Sequence, residues 1–149
     1  LRVVAEAGCP VILMHSRGTS QSMDQLTSYG DVVQDVRTGL NERTEQALKA
    51  GVRAEQIIWD PGLGFAKTHE QNLQLLKDLE QLTREPMPLL IGPSRKRFIG
   101  AVLDEPRPKA RLWGTAAVAC RCAQAGVAVV RVHDVGPIAQ TLRMASALW

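Results

Sequence analysis

The chain has 149 residues and a formal net charge of +3; 45% of the residues are hydrophobic, 22% charged and 4% aromatic. That length accommodates one domain with a real core, and the composition is that of a globular protein, not a disordered one. No apolar run approaches a membrane span; so small a net charge does not by itself argue for nucleic acid, and with so few aromatic rings stacking platforms for single strands are scarce.

The opening residues, LRVVAEAGCP, show no initiator Met and no signal-peptide layout, and they begin inside a helical pattern that Gly8 closes. Pro10 to Met14 is a predicted strand that ends at His15, followed by a polar loop from Ser16 to Gly30. Asp31 caps a predicted helix reaching about Ala50, with Val32, Val36, Leu40, Thr44, Ala47 and Leu48 on its apolar face. Ile57 to Asp60 is the next strand, and Pro61, Gly62 and Gly64 form a turn-rich loop after it. Thr68 and Gln71 are spaced as a capping box for a helix with Leu75, Leu76, Leu79 and Leu82 as its stripe, bordered by Leu73.

The third strand is Leu89 to Ile91, stopped by Gly92 and Pro93 and followed by Ser94, Arg95, Lys96 and Arg97. Phe98 to Leu103 reads as a short helix, Asp104 to Pro108 as its break, and Lys109 to Ala125 as an alanine-rich helix. Val127 to Arg131 is the fourth strand, and Pro137 suits the start of a last helix. The strands are apolar throughout and alternate with helices, which predicts an α/β fold with a parallel sheet and right-handed crossovers. One domain, 1–149, accounts for the whole pattern. Cys9, Cys120 and Cys122 are odd in number and form no C-x-x-C pair, so they read as buried free thiols in a reducing cytoplasm.

The polar residues worth attention gather at the C-terminal ends of strands, where parallel α/β folds bind ligands: His15, Asp60, Ser94, Arg95, Lys96, Arg131 and His133. Between Arg84 and Arg111 there are seven basic and three acidic residues, a local excess that an anionic substrate explains as well as a nucleic acid would. A solvated basic loop would explain one such run; two strand ends that both deliver cations argue for a shared site. Arg131 and His133 are two apart, so they share a face and fit a phosphate or diphosphate. Asp60, ending an apolar strand, needs a partner; paired N–H donors of a heterocycle would serve, and the alternative is a cap or loop hydrogen bond. Asp134 orients neighbours or caps the last helix. His15 and His69 read as structural, and no metal-ligand cluster is visible.

The segments IIWDPGLGFAK, LLIGPSRKRFIG and VVRVHDV, in that order, resemble the signature segments of the dihydropteroate synthases, and VILMHSRG resembles the segment preceding them. The resemblance spans essentially the whole chain. It implies a TIM-type (β/α)8 barrel that joins p-aminobenzoate to 6-hydroxymethyl-7,8-dihydropterin diphosphate, releasing diphosphate in folate biosynthesis, with sulfonamides competing for the aminobenzoate place. Carried onto this sequence, Asp60 would take the amino-pyrimidinone edge of the pterin and Lys96 its ring heteroatoms, the two placed at the reacting pterin. Met14 and Gly92 would line the pterin pocket, and Ser94, Arg95 and Phe65 would flank the aminobenzoate. Arg131 and His133 would hold the diphosphate, which itself binds most of a Mg²⁺ ion.

Four β/α units stand here where the family has eight, and the family's earlier Asn, Asp and loop residues have no counterpart. The expectation is therefore the C-terminal half of a cytoplasmic enzyme, a homodimer when full length, with an inactive isolated fragment. Its inward strand faces would come from Val11, Leu13, Ile58, Leu90 and Val130 or their neighbours. The alternatives are another pterin-binding barrel, such as a methyltetrahydrofolate methyltransferase, and a non-catalytic half-barrel that pairs with another chain.

Overall fold

The computed structural model describes all 149 residues. The helices are α1 (Arg2–Ala7), α2 (Val32–Lys49), α3 (His69–Lys77), α4 (Glu80–Thr83), α5 (Arg97–Leu103), α6 (Leu112–Gln124) and α7 (Val135–Ser146); the strands are β1 (Val11–Met14), β2 (Ile57–Asp60), β3 (Leu90–Ile91) and β4 (Val129–Val130). All pairings are parallel: Val11 faces Ile57 through to Met14 facing Asp60, and Leu90 and Ile91 face Val129 and Val130. A single parallel bridge between Trp59 and Leu89, with the Trp59 N–H donating to Pro88 O at 2.9 Å, joins the two pairs in the order β1-β2-β3-β4. β1 and β4 therefore each have one neighbour. β4 is shorter than Val127 to Arg131 because its ladder runs along that one side only, through Ala128 and Val129 to Leu89 O and Arg131 to Ile91 O.

Asp31 caps α2 as its sequence requires, accepting the N–H groups of Val33 and Gln34 at 2.9 and 3.1 Å. The buried face of α2 includes Val33, and Leu48 points outward at 44% exposure, so the stripe lies slightly round from the expected one. Thr44 completes that face by accepting the indole N–H of Trp59 at 2.8 Å, which fixes α2 against β2. Thr68 and Gln71 form the capping box at the start of α3. The expected single helix through Leu82 breaks at Asp78 because a distant side chain takes its carbonyls: Arg121 of α6 donates to Leu76 O at 3.0 Å and Lys77 O at 2.8 Å and forks onto Glu80. The alanine-rich helix likewise opens as a 3-10 turn, Pro108–Arg111, before α6 proper.

Leu13, Ile57, Trp59, Leu89 and Ile91 pack with Leu75, Leu76, Phe98 and Cys122 into one core between strands and helices. Of the three cysteines expected to be buried only Cys122 is; Cys120 is half-buried, and Cys9, between α1 and β1, is exposed. The register then decides the other face. Ile12 and Ile58 stand with Met14 and Asp60 on the side away from the helices, because strand side chains alternate. The expected inward set is corrected accordingly: Val11 and Leu13 face the helices, and so does Val130, which packs toward α6 and α7, while Ile58 and Leu90 keep the expected inward side. Their neighbours Ile12 and Val129 are the open-face residues, 47% and 41% exposed.

Candidate functional site

The loops after all four strands meet at one edge. Asp60 ends β2 beside Met14, and by the bridge between Trp59 and Leu89 it lies level with Leu90. Gly92 and Arg131, two residues further along β3 and β4 in register, stand one side-chain layer above it. Gly92 leaves room there: a Cβ at this position would lie 2.8 Å from the Arg131 guanidinium. Asp60 is 3% exposed; its Oδ1 accepts the Gly62 N–H at 2.8 Å and its Oδ2 lies 3.7 Å from Arg131. Burial raises its pKa, against the pull of the Gly62 N–H and the charges of Arg131, Lys96 and Lys67.

Above Asp60 lies a cavity of about 320 Å³ lined by Phe65, Gly92, Ser94, Lys96, Arg131, Val132 and His133. Lys96 places its ammonium 4.2 Å from the centre of the Phe65 ring, a cation–π contact. Burial, and next the Arg131 charge, lower the Lys96 pKa. Ser94 Oγ accepts the His133 backbone N–H at 3.1 Å and lies 2.8 Å from His133 Nδ1. With the serine hydrogen on Nδ1, every group in that exchange is satisfied and the Nε2–H is left to face an acceptor. A buried carboxylate below and two cations with an imidazole above can hold a ligand that donates at one end and is anionic at the other.

Arg95 is turned elsewhere. Its backbone is left-handed, φ 60°, and its guanidinium forks onto Asp134 with bonds of 3.1 and 2.7 Å. Asp134 thus orients a neighbour and makes no side-chain cap to α7. The Arg95 N–H goes to Thr115 Oγ1 at 3.1 Å and its carbonyl to buried Arg111 at 3.0 Å, so α6 and the turn before it fix the basic loop. Thr115 and Arg111 are positional residues that sequence reasoning did not find. His69 opens α3 and takes no part in the cavity.

His15 lies 5% exposed behind Asp60, with Lys67 Nζ 3.1 Å from its Nδ1. Burial, then the charges of Lys67, Arg17 and Arg43, bring its pKa down to about 3. The unfolded chain therefore binds more protons than the folded one between pH 3 and the ordinary value of 6.5. The stability held by neutral His15 is complete above pH 6.5 and is lost as the pH falls toward 3. Denaturant titrations against pH of a full-length protein should show a slope there that His15→Gln lowers by up to about one proton, most visibly above the carboxylate range; an unchanged slope would remove this assignment.

No group of three or more His, Cys, Asp and Glu side chains is placed to hold a metal ion. Both carboxylates nearest the cavity face guanidinium groups, Asp60 that of Arg131 and Asp134 that of Arg95. A second cleft of about 550 Å³, between His15, Arg17, Asp35 and the Arg43 turn of α2, has its Arg17 paired with Asp35 at 3.1 Å.

Residues 1–133 match the family model described as pterin binding enzyme. The chain is 52% identical over 149 residues to the dihydropteroate synthase of Synechocystis sp., covering 100% of this chain and 52% of that protein. It superposes on a crystal structure of Yersinia pestis dihydropteroate synthase with a sulfonamide drug complex, with TM-score 0.94 and 33% identity over 99% of this chain and 53% of that one. On Xanthomonas albilineans dihydropteroate synthase with 4-aminobenzoic acid the TM-score is 0.90 and the identity 37%, over 97% and 51%. The chain thus spans about half the length of the relatives it matches.

Proposed function

The chain belongs to the pterin-binding enzyme family, and we propose that it serves as half of a dihydropteroate synthase, condensing p-aminobenzoate with 6-hydroxymethyl-7,8-dihydropterin diphosphate in folate biosynthesis. Its parallel β/α units are half of a TIM-type barrel. The observation that carries the reading is buried Asp60 one layer below a cavity rimmed by Lys96, Arg131 and His133.

In this reading the free Asp60 oxygen accepts the N–H donors of the pterin's amino-pyrimidinone edge, a charge-assisted contact in a dry place. Met14 and Gly92 form walls of that pocket, and Lys96 meets the ring heteroatoms. Arg131 and His133 Nε2–H hold the diphosphate. The C–O bond to diphosphate breaks with its electron pair going to the departing oxygen, leaving an electrophilic methylene on the pterin. The arylamine nitrogen donates its lone pair to that carbon and then loses a proton. Position and charge stabilisation do the work, with no covalent nucleophile on the protein.

Phe65 and Ser94 flank the aminobenzoate. Arg95, whose guanidinium is committed to Asp134, contributes through the left-handed backbone that sets Ser94 and Lys96 on either side of it. Mg²⁺ accompanies the diphosphate: this chain supplies no ligand set of its own, and no step above is routed through the ion. Sulfonamides compete for the aminobenzoate place. The setting is the cytoplasm, and no helix here is long and apolar enough to cross a membrane. The full-length enzyme is a homodimer, a reading supported by exposed Val102, Leu103 and Trp113 on adjacent helices.

Arg131→Ala in a full-length enzyme should weaken binding of the pterin diphosphate by about 2–5 kcal/mol, because a charged partner is lost once the ligand has excluded water. His133→Ala should do so to a smaller extent. Calorimetry checks this; unchanged affinity in both variants would remove the diphosphate from this end of the site.

A further inference from the structure

The loop between β2 and α3 holds a buried cation with no carboxylate partner. Lys67 is 9% exposed, and its ammonium makes three contacts: His15 Nδ1 at 3.1 Å, Gly62 O at 3.1 Å and Phe65 O at 3.0 Å. Those three acceptors use all three N–H groups of the side chain. The loop is wound round the ammonium in a conformation that needs a centre: Gly62, Gly64 and Ala66 all have positive φ, at 69°, 76° and 50°. A Cβ on Gly62 would lie 2.0 Å from His15 O, so the loop is also seated hard against the end of β1.

Each of the three acceptors leads to the site. Gly62, held at its carbonyl by Lys67, gives its N–H to Asp60 Oδ1 at 2.8 Å. His15 gives its backbone N–H to Asp60 O at 2.9 Å. Phe65, held at its carbonyl, carries the ring on which Lys96 rests. A buried charge that faces only neutral acceptors is costly, and burial brings the Lys67 pKa down to about 7, with Asp60 opposing and Arg17 and Lys96 assisting. A lysine that merely covered the surface with its stem would keep its head in water and avoid that cost.

We propose that Lys67 is a positioning residue of this site, whose ammonium fixes the Asp60 carboxylate and the Phe65 ring together through Gly62, Phe65 and His15. The proposal rests on the pterin reading of Asp60. It also assigns the His15 tautomer: Nδ1 is the acceptor and Nε2 carries the hydrogen.

The test uses a full-length synthase that contains this chain, with 6-hydroxymethylpterin and inorganic diphosphate as separate calorimetric probes. Lys67→Met keeps the stem and removes the donors. It is expected to weaken 6-hydroxymethylpterin binding about ten- to hundredfold, the scale of a misplaced group, and to raise the KM for p-aminobenzoate. Diphosphate affinity should stay within about twofold of the parent, because Arg131 and His133 make no contact with Lys67. A general loss of structure would move both affinities and the far-ultraviolet circular dichroism. In the parent, nitrogen-15 spectra should show His15 with its hydrogen on Nε2, a measurement that needs no variant. A parent that does not bind 6-hydroxymethylpterin would overturn the pterin reading itself. A folded Lys67→Met protein that binds it as the parent does, or a parent His15 with its hydrogen on Nδ1, would overturn the role of Lys67 alone.

Discussion

Asp60→Asn in a full-length enzyme is expected to lose pterin affinity by about 2–5 kcal/mol, roughly 30- to several-thousandfold, while the fold survives. The side chain keeps its shape, and one amide oxygen can still accept the Gly62 N–H that now goes to Oδ1. The amide then turns its NH₂ to the place where Oδ2 faces Arg131 and the open cavity. A donor there meets the donors of the pterin edge, and the charge assistance disappears with it. Arg131, whose side chain is 63% exposed, simply returns to solvent, so little structural cost is expected from that side. Burial already raises the Asp60 pKa, so neutralising the group relieves a desolvation cost and the fold should tolerate the change. Isothermal titration with 6-hydroxymethylpterin reads the effect. An Asp60→Asn enzyme that binds the pterin normally would make Asp60 a loop-capping carboxylate and nothing more.

What the sequence discloses about this site follows from where its residues stand. Asp60 is conspicuous because a carboxylate ends an apolar strand, and Arg131 and His133 because they share a face at the end of another. Lys67 shows no such sign: in FAKTHEQ it reads as one more polar residue before a helix, and only the folded loop buries it. Arg111 is hidden in the same way among the basic residues around Pro108. The run from Arg95 to Arg97 announces charge but not direction; the left-handed backbone at Arg95 sends that guanidinium to Asp134 while Lys96 enters the cavity. The break after α3 has its cause more than forty residues away, in Arg121, so no local pattern could announce it. Strand phase is likewise silent where strands are apolar throughout: Ile12 and Leu13 look alike, and only the register and the helices decide which faces inward.

That inward face governs what the 149 residues can do by themselves. β1 and β4 each present an unpaired edge of N–H and C=O groups, a template for another chain. Ile12 and Val129 stand 47% and 41% exposed on the open side, where a barrel would place an opposing layer of side chains. The accessible surface is 8441 Å², against about 7,500 Å² for a compact monomer of 16.3 kDa. By the same scaling the chain buries about 64% of its unfolded surface where a compact globule of this length reaches about 68–70%. The rim of the site is open too: Arg131 and His133 stand exposed above buried Asp60, on the side where a barrel would place its other strands. A polypeptide of these residues alone should therefore have no measurable synthase activity. It should aggregate, self-associate or bind a hydrophobic dye, and the complementary half of a synthase supplied in trans should restore some turnover. Sedimentation, dye fluorescence and a dihydropteroate assay on the same preparation decide the matter: a soluble, monomeric, cooperatively folding chain that makes dihydropteroate unaided would overturn the half-barrel account of its function.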